Sequence, residues 1–267
     1  MESKEKAPDA MAHRPFWTGT ISIGLVNIPI KLLTMTRDHS ISFRLLHGKD
    51  NRPIRYMRVC EGDDEVVPWE DIVKGYEVSS GEYVVFEKDE LEAIKPESDR
   101  KISLDKFIHF LSVDPVYFHT SYILLPDRSA EAYALLLAAF RESGKAGVGR
   151  ITLRTKEYPA LIRVYHGALI LTTLHYANEI LDPVNFEELI DIPVPGRKEL
   201  DLAEKIIDDL TGDFDILEYR DSYMERLQAA IIRKMEGETI KVEKPKAREA
   251  KELMAALEET LEKMKAK

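Results

Sequence analysis

Two rows of cations hold the clearest chemistry in this chain. In Arg52-Pro-Ile-Arg-Tyr-Met-Arg-Val-Cys60 a cation recurs at every third position. Farther on, Arg150, Thr152, Arg154 and then Lys156 share one parity of an alternating run, and Ile151 and Leu153 hold the other. Guanidinium and ammonium groups strung along extended backbone match the repeating phosphates of a nucleic acid without reading its bases. At a two-residue period Arg52 and Arg58 fall on one face and Arg55 on the other. The first row is therefore either a two-sided basic ribbon or an exposed edge strand guarded by its charges. Groups for catalysis are fewer. His47 and Cys60 can be drawn as base and nucleophile, but no motif orients them. The pairs Asp63-Asp64 and Asp208-Asp209 lie in solvated contexts, and the seven histidines show no metal-ligand spacing. Gly144-Lys145-Ala146-Gly147 lacks the frame of a phosphate loop. The expectation is a binding protein with no catalytic centre, no metal and no cofactor.

The net charge of −10 opposes nucleic-acid binding only if charge is spread evenly. Between residues 14 and 60, eight Lys and Arg face only Asp38 and Asp50, and between 141 and 166 six face only Glu142 and Glu157. The stretches 61–110 and 167–220 are strongly acidic. This segregation fits either solvated surface charge or a molecule basic where DNA lies and acidic elsewhere. Cys60 is the only cysteine, so no intrachain disulfide forms and a reducing compartment is expected. No run of 18 apolar residues exists, and residues 1–13 form a polar leader expected to be disordered. A cytoplasmic, non-membrane protein is the expectation.

The elements that hold these cations are mostly strands. In 16–33 the parity of Trp17, Gly19, Ile21 and Ile23 gives one strand, 24–27 breaks it, and Ile28, Ile30 and Leu32 begin another around Lys31. Pro29 belongs at a strand start, an edge or a bulge. Further strands are expected at 41–46, 82–86, 101–113, 122–125, 148–155, 161–165 and 168–174. His166-Gly167 forms a two-residue hairpin turn between the last two. A turn is expected at 47–51, a helical turn with a glycine stop in 66–76, and a short helix at 87–94 burying Leu91 and Ile94. Residues 129–141 read as a helix apolar nearly all round. Few helices among many strands, with no βαβ series, describe a β-rich α+β barrel rather than a doubly wound sheet.

From residue 200 the period becomes helical. Leu202, Ile206 and Leu210 form one stripe; Tyr223, Leu227, Ile231 and Met235 form another, and Gly237 stops it. Residues 238–247 read as a charged linker, and 248–267 as an amphipathic helix with Leu253, Leu257 and Leu261 on one side.

Several literal strings resemble the prokaryotic Ku family. The opening Trp-x-Gly-x-Ile-Ser-x-Gly-Leu-Val-Asn-x-Pro-x-Lys-Leu is followed in order by Ile54-Arg-Tyr-x-Arg-Val-Cys60, Val73-Lys-Gly-Tyr-Glu77, Gly81-Glu-Tyr-Val-Val85, Asp114-Pro-Val-Tyr-Phe118, Ala132-Tyr-Ala-Leu-Leu136, Leu153-Arg-Thr-Lys-Glu157, Leu174-x-Tyr-Ala-Asn-Glu179 and Asp221-x-Tyr223. The resemblance runs from Arg14 to about Gly237. It implies a seven-stranded Ku-type β-barrel, an extended bridge that closes around duplex DNA, and a C-terminal helical arm that embraces a second copy. The implied domains are a leader (1–13), barrel core with bridge (14–195), dimerisation arm (196–237), and linker with terminal helix (238–267). On this likeness a homodimer binds double-strand break ends in non-homologous end joining and recruits an end-joining ligase-polymerase. The implied DNA-binding residues are Lys31, Arg37, Arg44, Arg52, Arg55, Arg58, Arg150, Arg154 and Lys156. Leu202, Ile206, Leu210, Tyr223, Leu227 and Ile231 fall on dimerisation, and Leu253, Leu257 and Leu261 on ligase docking. Many members carry a second cysteine soon after the first; here Cys60 precedes Glu-Gly-Asp-Asp, so no zinc site is assigned. The rival expectation is a protein-interaction module on the same barrel, without DNA binding.

Overall fold

Alternation becomes closure in the first two strands. β1 (Trp17–Ile23) turns through Gly24 and Leu25 into β2 (Val26–Thr34), with Ile23 opposite Val26. Gly24 takes φ +58°, which glycine adopts without strain. Pro29 lies inside β2 opposite Thr20, and its carbonyl accepts from the Asp127 amide at 3.1 Å, just beyond the end of the neighbouring strand. The structure, a computed structural model, describes residues 14–94, 100–239, 256–260 and 262. These divide into two units, residues 14–39 with 44–181, and residues 40–43 with the chain from 182 onward.

The first unit contains a closed barrel. After β3 (Lys74–Ser79), β4 (Glu82–Phe86) and α1 (Lys88–Ala93) come β5 (Lys101–His109), β6 (Phe118–Pro126), α2 (Ala130–Ser143), β7 (Lys145–Leu153), β8 (Lys156–Tyr165) and β9 (Ala168–Leu174). Seven strands close in the order β1-β2-β6-β9-β8-β7-β5, all antiparallel except the β1/β5 seam. β5 sits between two glycines. A Cβ on Gly19 would lie 2.0 Å from the Arg100 carbonyl, and one on Gly149 would lie 1.8 Å from that of Ser103. Neither neighbour admits a side chain, so both positions require glycine for β5 to be inserted. His166 and Gly167, at φ +41° and +80°, make the expected two-residue turn between β8 and β9.

The barrel is filled by Ile21, Ile30, Leu32, Ile102, Leu124, Ile162 and Leu171, with α2 contributing Tyr133, Leu136 and Phe140. Ser129 caps α2, its hydroxyl accepting from the Ala132 amide, and Gly144 ends it at φ +61°. The helix is one-sided rather than buried all round: Leu135 is 74% exposed. The Tyr133 hydroxyl donates to the Leu124 carbonyl (2.8 Å) and accepts from the Leu169 amide (3.0 Å), capping the last residue pair of the β6/β9 ladder.

Several local expectations change. Residues 41–46 form no strand; only Leu46 makes an isolated bridge, to Pro53, because no continuous partner runs beside the segment. Gly75 is not a stop but lies within β3, its α-carbon facing the Tyr83 side chain. Trp69–Asp71 supplies the expected helical turn. Ile94 is exposed while Leu91 is half-buried, because α1 ends at Ala93. β5 ends at His109 and a 3₁₀ turn takes Phe110–Ser112, where one long strand or a strand pair was expected. The second unit holds α3 (Arg197–Leu210), α4 (Ser222–Met235) and the helical residues 256–260.

Candidate nucleic-acid interface

The first cation row sits on two successive turns, not on a regular ladder. His47 and Asp50 bond at 2.9 Å within the first turn, where Asn51 adopts φ +56°. The Asp50 carboxylate also accepts from the Arg52 amide at 3.2 Å and lies 3.5 Å from its Nε. In the second turn Val59 bridges Val66, and the Cys60 amide donates to the Glu65 carbonyl at 2.9 Å. Arg52, Arg55 and Arg58 are all exposed. The Arg58 guanidinium lies 4.6 Å above the Trp69 ring, which orients it without neutralising it. Cys60 is exposed in its own acidic turn, and His47 is held in the other, so nothing assembles them as a nucleophile and base. Among the described residues no group of three or more His, Cys, Asp or Glu is placed to hold a metal.

The second row is divided by the structure. Leu153 ends β7, Arg154 occupies the turn at φ +58°, and Lys156 opens β8 directly opposite Leu153. Cross-strand partners share a side of the sheet. Lys156 thus lies on the side of Leu153 and Tyr158, away from Arg150 and Thr152, and the expected single polar face holds only up to Thr152. A two-residue reversal restarts the parity, which unbroken alternation in the sequence does not reveal.

Carboxylates stand beside three of the candidate cations on the barrel, Lys31, Arg150 and Lys156. Lys31 Nζ is 2.8 Å from Asp127, and Arg150 lies 3.9 Å from Asp105 and 4.0 Å from Glu157. Lys156 Nζ donates to Glu179 Oε1 at 2.5 Å and lies 5.1 Å from the centre of the Tyr158 ring. The other oxygen of Glu179 accepts from the Tyr176 amide at 2.9 Å and is 3.4 Å from His175 Nδ1. The lysine hydrogen bond first, and the backbone bond second, hold the Glu179 carboxyl down to about 2; the same bond raises Lys156. Arg37 and Arg44 are exposed beyond β2.

With barrel and cations placed, comparison is decisive: the Ku70/Ku80 beta-barrel domain model matches residues 22–202. The chain belongs to the Ku family. Similar relatives are each named non-homologous end joining protein Ku. That of Anaeromyxobacter sp. (strain K) is 41% identical over 229 residues, covering 85% of this chain and 77% of that protein. That of Archaeoglobus fulgidus is 36% identical over 253 residues, covering 94% of this chain and the whole of that protein. That of Bacillus subtilis (strain 168) is 36% identical over 249 residues, covering 92% and 80%.

In this Ku chain the helical stripes are covered only in part. Leu202, Ile206, Leu227 and Ile231 are half-buried, whereas Leu210 and Tyr223 are mostly exposed. Met224 is the half-buried residue one step after Tyr223, which shifts the stripe of α4 by one position. Leu257 is half-buried in 256–260; Leu253 and Leu261 lie outside the described residues, as does the leader 1–13. Sequence reasoning missed Asp127, Glu179 and Trp69. No spacing signals them, because Glu179 stands 23 residues from Lys156 in the chain and only the fold joins them. Among the described residues no helix is long and apolar enough to cross a membrane.

Proposed function

We propose that the chain is a DNA-end-binding protein of non-homologous end joining: a homodimer that threads onto double-strand break ends and recruits an end-joining ligase. The observation that carries this reading is the match over nearly the whole chain to proteins named for that process. It acts by binding rather than catalysis, beside the nucleoid in the cytoplasm. The exposed Arg52, Arg55 and Arg58 support it, since sequence-independent affinity needs cations at phosphates rather than contacts to bases.

The homodimer is supported by apolar surface that one copy leaves open. β3 and β4 form a two-stranded sheet with Tyr76, Val78, Tyr83 and Val84 all exposed. Such a sheet is marginal without something packed on it. Two bridges closing around the duplex would turn a nonspecific electrostatic contact into selectivity for ends. Phosphates in circular and linear DNA carry equal charge, so electrostatics alone gives no such rule. The test compares linear duplex with covalently closed circles in a gel-shift competition, with the protein's mass measured by light scattering. Dimers that bind linear DNA strongly and circles weakly are expected. Equal competition by circles overturns the ring, a folded monomer at micromolar concentration overturns the dimer, and no binding to either DNA favours the protein-interaction module.

A further inference from the structure

We propose that Glu179 is a built-in brake on DNA affinity, a fixed counter-charge that keeps Lys156 from gripping a phosphate. The proposal rests on the DNA-binding reading above. It starts from how completely the carboxylate is held. One oxygen takes the ammonium of Lys156 at 2.5 Å, and the other takes the Tyr176 amide at 2.9 Å, within the 3₁₀ turn Ala177–Glu179. Lys156 is confined from a second side by Tyr158, whose ring stacks on His119 with centroids 6.0 Å apart. The pair therefore is not two long side chains meeting by chance in solvent. Asp127 against Lys31 at 2.8 Å repeats the device on β2. Among the described residues Arg154, two positions from Lys156, forms no ion pair.

The consequence follows from counterion release. A free cation that neutralises a phosphate releases the counterion condensed there, and this drives binding at low salt. A phosphate that takes Lys156 must displace Glu179. The carboxylate, anchored by Tyr176, stays alongside and draws a cation back from solution, so net release is close to nil. Lys156 then guides the backbone without adding grip.

The test measures affinity for a linear duplex against salt, for the wild-type protein, Glu179→Gln, Lys156→Ala and the double variant. Glutamine keeps an acceptor for the Tyr176 amide while losing the charge. Glu179→Gln is expected to steepen the slope of log affinity against log salt by about 0.9 per subunit, about 1.8 per dimer. Between about 50 and 200 mM salt that is roughly a tenfold larger fall in affinity than wild type shows. The extra slope should vanish when Lys156→Ala is also present, as a double-mutant cycle requires of a direct pair. Lys156→Ala alone should leave the slope unchanged, a readout that stands even if the glutamine variant fails to fold. A wild-type protein that does not bind duplex overturns the underlying reading. Binding with an unaltered slope in Glu179→Gln overturns the brake, as does steepening that persists without Lys156. A loss of about 0.9 per subunit in Lys156→Ala alone also overturns it.

Discussion

Replacing Arg52, Arg55 and Arg58 together by glutamine tests the bridge reading most directly. All three are exposed, so their loss should scarcely disturb the fold. Arg58 gives up its place over Trp69, at a cost of about 0.5–1 kcal/mol. The effect on DNA binding is far larger. Each phosphate contact contributes about 0.9 to the salt slope, hence about an eightfold factor in affinity at 0.1 M salt. Arg52 already has Asp50 at 3.5 Å and counts for less than a full contact, while Arg55 and Arg58 count fully. Two to three contacts in each subunit, hence four to six in the dimer, give a loss of about 4,000- to 250,000-fold at 0.1 M, with the slope shallower by about 3.6–5.4 per dimer. Fluorescence anisotropy on a labelled linear duplex across a salt series reads both quantities, and thermal melting monitors the fold. A folded variant with wild-type affinity and slope would refute the assignment of these arginines to phosphates. Lost affinity at an unchanged slope would refute the electrostatic account of how they act.

Two other outcomes are expected. Tyr133→Phe leaves the Leu124 carbonyl and the Leu169 amide without their buried partner, costing about 2–4 kcal/mol and roughly 5–10 °C in melting temperature. Burial raises the pKa of Tyr133, so its contribution is full below the ordinary tyrosine value of 10.0 and fades as pH rises past it. The gap between variant and wild type in chemical denaturation should narrow above that pH, and equal melting at neutral pH would exclude the bridging role. On the proposed reading, deleting residues 248–267 should leave duplex affinity unchanged but weaken stimulation of an end-joining ligase. Ligation assays in which truncated and full chains stimulate equally would remove that role.

Strands were readable wherever one face is buried and the other wet, as in β1, β2 and β7, because alternation directly records a two-sided surface. The His166-Gly167 reversal was readable because its backbone tolerates few residue types. The second cation row shows where such reading fails. Alternation through Lys156 continues across a turn, and the turn moves Lys156 to the other side of the sheet. Segment 41–46 had the composition of a strand but, among the described residues, finds only the short pairing of Leu45 and Leu46 with Pro53 and Ile54, and pairing is a property of the fold rather than of the segment. Among candidate site residues the cations were found by type, since charge rows are visible in one dimension. Asp127 and Glu179 were not, for each reaches its cation only once separate strands pair, β2 with β6 and β8 with β9, on the way to a closed barrel.

That closure has a kinetic side. β1 and β5 meet over three residue pairs, Thr20 with Lys101, Ile21 with Ile102 and Ser22 with Ser103, yet some eighty residues separate them along the chain. The β1/β2 and β7/β8/β9 hairpins need only two-residue reversals, so they form early, whereas the seam waits on the closure of a long loop. Until then β1 and β5 each present an open edge. A β1/β2 hairpin that meets the open β5 and β6 edges of another molecule first can pair there instead, and the long connection gives it reach. Protein concentration during refolding then decides between a barrel closed on itself and one closed by exchange.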